Sequence, residues 1–190
     1  MKRFLFPNMK RLSALFFLSM ACAMGQVETL NLGPHGKLTV YLPGEWTAIT
    51  TRNTEQITLT ISPKKESVNA SCTLEVSFPE VDRYDTKARL KLRVEADGQG
   101  MAEESVERKA YGREFTLATG YGFYCNFTDP NLRGKPMEKG NYKVMSAGKI
   151  RLAPDVLVDV HIMGEGFSVE TYQQLLGAVE GMEYVPGRGR

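Results

Sequence analysis

Apolar and polar residues alternate with a period of two along much of this chain. Between Gln56 and Ser62, Ile57, Leu59 and Ile61 fall on one side and threonines on the other. Cys72, Leu74, Val76 and Phe78 repeat the pattern, as do Val156, Val158, Val160 and Ile162. Successive side chains of a strand point to opposite faces, so each run predicts a half-buried β-strand. Thr29–Leu32 and Lys37–Leu42 flank Gly33 to Gly36 and predict an N-terminal hairpin. Further strands are expected over Trp46–Thr51, Val106–Leu117 and Tyr142–Leu152. Gly120–Asp129, aromatic and with its only charge at Asp129, is expected as a central strand.

Two stretches follow a helical period instead. Asp85 or Thr86 is placed to cap a helix reaching about Ala96, where Asp97 to Gly100 breaks it; charges interrupt its apolar stripe, so it lies on the surface. Ser168 is placed to cap a last helix over Val169–Met182, with Tyr172, Leu175, Leu176 and Val179 as its buried side. The expectation is one α+β domain over residues 27–185. It has an antiparallel sheet of about six strands plus the N-terminal hairpin, covered by helices. Residues 186–190 read as a polar, disordered tail.

Residues 1–23 have a different character. Lys2, Arg3, Lys10 and Arg11 precede an apolar run from Leu12, which ends in the small-x-small sequence Ala21-Cys22-Ala23. Basic flank, apolar run and cleavage site together predict a secretory signal peptide. The run is shorter than the roughly 20 apolar residues of a permanent span, so no transmembrane span is expected. Cleavage after Ala23 gives an exported chain, periplasmic or extracellular; lipidation at Cys22 is the alternative and would tether it to a membrane. The segment also changes the charge. The formal net charge is +2, but without it the 24 basic residues fall to 20 against 22 acidic, a net of −2. A weakly acidic domain has no general attraction to nucleic acid.

Candidate chemistry is sparse. In an oxidising compartment Cys72 and Cys125 are either a disulfide or two separately buried thiols. Asp159 and His161, at i and i+2, share one face of a strand with Leu157 and Met163 and are the remaining acid–base candidates. Trp46, Tyr121, Phe123 and Tyr142, with Asp159 and His161, form a candidate pocket or docking surface. Asn69-Ala-Ser71 and Asn126-Phe-Thr128 are glycosylation acceptors if the source is a eukaryote. There is no Gly-x-Ser-x-Gly elbow, phosphate-binding loop or dinucleotide fingerprint, and no cofactor or metal is called for.

Three features together resemble the PsbP/Mog1 superfamily of small α+β domains. Leu42-Pro-Gly-Glu-Trp46 follows the N-terminal hairpin. Gly120-Tyr-Gly-Phe-Tyr124 runs on to Phe127-Thr-Asp129. A loop ending in Gly140-Asn-Tyr-Lys143 then leads to two long strands and an amphipathic helix. The resemblance covers roughly Leu30 to Tyr184. It implies an antiparallel sheet covered by helices and a non-enzymatic protein that binds other proteins or serves an envelope or secretion system. The alternatives are a small-molecule or lipid carrier using an aromatic pocket, and an enzyme using Asp159 and His161.

Overall fold

A computed structural model describes residues 25–187. The predicted signal peptide, with Cys22, and the last three residues lie outside the described residues. The fold is α+β, with two antiparallel sheets and two helices. None of the described helices is long and apolar enough to cross a membrane.

The N-terminal hairpin forms as its pattern predicts. β1 (Gln26–Asn31) pairs with β2 (Gly36–Leu42) across a short 3-10 turn. A third strand, β10 (Glu183–Pro186), joins the other side of β2. The sequence reading began a disordered tail at Pro186. Pro186 instead pairs with Gly36, and a side chain at Gly187 would meet the Pro34 carbonyl oxygen at 2.0 Å. Proline suits this last position of an edge strand, where no ladder donor is needed.

The larger sheet is built from β3 (Trp46–Arg52), β4 (Gln56–Pro63), β5 (Ser71–Ser77), β6 (Arg113–Glu114), β7 (Tyr121–Thr128), β8 (Val144–Ala153) and β9 (Val156–Gly164). Its order is β3-β4-β5-β9-β8-β7-β6. After β5 the chain crosses one face as helix α1 (Lys87–Glu104), and returns at the far edge as β6 and β7. The central strand is therefore β9, and the aromatic strand β7 is next to the edge. Much of the aromatic run of β7 is buried by α1 rather than by strands on both sides. Only residues 113 and 114 of the strand expected over Val106–Leu117 pair regularly.

Period two sorts the sheet into two faces. On one, Leu59, Leu74, Val158, Ile150 and Tyr124 join Leu38 and Val40 of the small sheet and Tyr172, Leu175 and Val179 of α2 (Glu170–Glu180) in the main core. Val169 occupies the helix N-cap in place of Ser168, and makes no side-chain cap hydrogen bond. On the other face α1 covers β7 and β8. Its buried residues Leu90, Val94, Gly98 and Ala102 recur every four residues and pack on Phe123, Cys125, Phe127 and Ala147. The Thr86 hydroxyl caps the helix by accepting from the Arg89 N–H at 3.3 Å.

α1 passes through Asp97 to Gly100, where the sequence predicted a break. A Cβ on Gly98 would sit 3.0 Å from the Phe127 ring and 3.4 Å from Ala110, so glycine lets the helix approach the sheet closely. That packing outweighs the roughly 1 kcal/mol that glycine costs a helix interior. The rest of the face, on β3, β4 and β5, carries no covering element among the described residues.

Candidate functional site

A groove of about 470 Å³ lies at one end of the α1 face. The last turn of α1 and the ends of β7, β8 and β9 form its floor, and the loop from Asp129 to Lys143 forms its rim. Met101, Phe127, Tyr142, Met145 and Met163 line it, with Glu104 at the edge. The loop is tied down from two sides. Asn69 accepts from the Gly140 N–H at 3.0 Å and donates to the Glu138 carbonyl at 3.1 Å. Glu107 accepts from the Thr128 N–H at 2.8 Å and from its hydroxyl at 2.7 Å. Burial opposes the Glu107 charge, but these hydrogen bonds outweigh it and hold the carboxyl below its ordinary range. Both asparagines of the two sequons are engaged internally, Asn69 in this loop and Asn126 by Ser146.

Beside the groove lies a smaller cleft of about 70 Å³ lined by Met101, Gly98, Lys149, Asp159 and His161. Asp159 and His161 do share one face of β9. The Asp159 carboxylate, however, pairs with Lys149 across the strands, and Lys149 also approaches Asp97 at 3.7 Å. No hydrogen bond joins Asp159 to His161 among the described residues. Cross-strand charge pairing takes the carboxylate that an acid–base couple would need.

Of the two readings of Cys72 and Cys125, the structure shows the separately buried thiols, and the sheet explains why. Cys72 and Cys125 are both free and buried. Cys72 packs in the α2-side core and Cys125 beneath α1 on the opposite face, with β9 and β8 between their strands. Burial pushes the Cys72 thiol up to about 12 and, with Glu95 nearby, the Cys125 thiol up to about 11. Neither is poised as a nucleophile.

The remaining candidates do not converge on one surface. Trp46 is only 1% exposed, and its indole N–H donates to Gln174 of α2 at 2.9 Å, on the other side of the sheet from the groove. Phe123 is packed under α1. The Tyr121 hydroxyl donates to the Tyr84 carbonyl at 2.6 Å, and its ring lies 5.6 Å from the Arg151 guanidinium. Tyr142 alone of the four aromatics lines the groove, with Asp159 and His161 close by in the cleft.

Two arrangements were not foreseen. His35 Nδ1 lies 2.7 Å from Asp155 Oδ2, and its ring stacks on Phe78 at 4.4 Å. The partners are 120 residues apart, brought together by the small sheet, so no local signal marks them. The methionine lining is the other. Met163 was readable on the Asp159 face, but only the register shows Met145 directly opposite it. Among the described residues no three His, Cys, Asp or Glu side chains gather as metal ligands, and every buried side-chain nitrogen and oxygen has a partner. Comparison with family models, with curated proteins and with solved structures returns no match.

Proposed function

We propose that this chain is an exported, non-catalytic domain of the PsbP/Mog1 type that binds a protein partner along strand β3 and the open face beside it. The observation that carries the reading is that uncovered face. Thr58 and Thr60 of β4 and Thr73 and Ser77 of β5 are half-buried there, while α1 shields only the far end of the same face. Strand β3 closes the sheet on that side, pairs only with β4, and holds Ile49 66% exposed. An edge strand offers unpaired backbone groups for strand addition, and an exposed apolar side chain beside a face with few charges suits the centre of a partner contact. Export is supported by the basic, apolar and small-residue order of residues 1–23. The superfamily is supported by the three sequence features named above and by an antiparallel sheet with helices packed on it.

A photoreactive amino acid at Ile49, in cells that export the chain, tests the partner surface. Leu92, 67% exposed on the outer side of α1, is the control position. A discrete adduct from Ile49 and none from Leu92 is expected. No adduct from Ile49, or the same adducts from both positions, would overturn the proposal.

A further inference from the structure

Five methionines fall among the described residues, and three of them line one groove. Met145 of β8 and Met163 of β9 are direct cross-strand partners on the α1 face. Directly opposite residues have Cβ atoms about 5 Å apart, well within the combined reach of two side chains with three rotatable bonds each. Met101, in the last turn and a half of α1, lines the same groove as both. It also lines the cleft that holds His161, two residues before Met163 on the same strand face. All three methionines are half-exposed. Met182, by contrast, is 3% exposed in the main core.

Thioethers are neutral, soft donors and select soft ions, while hard cations require oxygen ligands. The two cysteines among the described residues are closed off: Cys72 and Cys125 are buried on opposite faces of the sheet. Glu104 and Lys143 both line the groove, so the choice of ion rests on the thioethers rather than on charge. We propose that Met101, Met145 and Met163 form a thioether site for a soft monovalent cation, Cu(I) or Ag(I), with His161 as its nitrogen donor. An imidazole beside thioethers suits copper. The site is separate from strand β3 and does not depend on the partner reading.

Silver ion is the probe, because it takes the same ligands as Cu(I) without changing oxidation state under the assay. The full chain, expressed with its own N-terminal segment and labelled at the methionine methyl carbons, is titrated with Ag(I) and followed by NMR. The methyls of Met101, Met145 and Met163 are expected to move together and saturate at one equivalent, while those of Met137 and Met182 stay in place. Met145→Leu/Met163→Leu keeps the volume of the side chains and should keep the fold. Its affinity for silver should fall roughly tenfold or more, as loss of metal-site residues commonly gives. His161→Gln should weaken binding by a smaller factor. Unmoved methyls, equal movement at Met137, or an unchanged affinity in the folded double variant would overturn the site. Unchanged affinity in His161→Gln would remove the histidine from it.

Discussion

Cys72 and Cys125 face away from each other through the sheet, three strands apart. At roughly 4.8 Å per strand their backbones are about 14 Å apart, twice the span a disulfide tolerates. Both thiols are therefore expected to resist alkylation in the native protein and to react once it is denatured. Peptide mapping should find no 72–125 linkage in protein purified without reductant. The thiols also set an alkaline limit. Both are held above the ordinary value of 9.0, so above pH 9 the unfolded chain releases protons that the folded chain keeps. Stability should be unaffected by these groups below pH 9 and fall as pH rises through about 11 and 12. Denaturant midpoints measured from pH 8 upward check this, and a midpoint that rises over that range would contradict it.

Arg151 anchors the start of α1 to the sheet. Its guanidinium forks onto both carboxylate oxygens of Asp82, Nε at 2.9 Å from Oδ1, and lies over Tyr121. The hydrogen-bonded guanidinium holds the Asp82 carboxyl below its ordinary 3.8. A depressed carboxyl contributes stability above its unfolded value and loses it as pH falls through the folded one. Asp82→Asn should therefore lower the melting temperature at pH 7, by an amount equivalent to about 1 kcal/mol for a partly exposed bidentate pair. The gap between variant and parent should close below pH 3.8. Arg151→Lys should also destabilise, because an ammonium replaces neither the fork nor the stacking on Tyr121. A pH-independent gap for Asp82→Asn would assign the loss to packing alone.

How much was legible in the sequence follows from which interactions are local. Strands β4, β5 and β9 each bury one side in one core, so Ile57, Leu74 and Val158 announce them by alternation. The hairpin and Thr86 are read from turn and cap chemistry a few residues wide. Gly98 was misread because its role is set by Phe127, 29 residues away in sequence. β7 was misplaced at the centre because alternation gives a strand's faces but not its neighbours. The placement of the candidate site residues was hidden for the same reason: Trp46 and Tyr142 lie on different sides of the sheet, and Met145 faces Met163 only through pairing register.

Trp46 offers a clean optical check on this division. As the only tryptophan, and one that is almost wholly buried, it should emit at short wavelength and resist iodide quenching. Its hydrogen bond to Gln174 ties it to α2, away from both the groove and the open face. Silver binding at the methionines should leave its emission unchanged. A red-shifted, readily quenched indole would place Trp46 at the surface after all.

Ser146 is the one buried hydroxyl at the centre of a polar chain in the main core. At 1% exposure it donates to Asn126 Oδ1 at 2.6 Å and shares a second hydrogen bond, also 2.6 Å, with the Tyr172 hydroxyl of α2. Burial pushes the Tyr172 phenol up to about 12 despite that hydrogen bond. Ser146→Ala leaves the Tyr172 hydroxyl buried without a partner and should cost about 1–3 kcal/mol, the desolvation penalty of one orphaned group. Tyr172→Phe should cost less, because Ser146 still donates to Asn126. The double variant leaves no orphaned phenol, so its loss should be smaller than the two single losses added, with a coupling of about 0.5 kcal/mol or more. Urea denaturation of the four proteins closes the cycle. Additive losses would show that Ser146 and Tyr172 act independently.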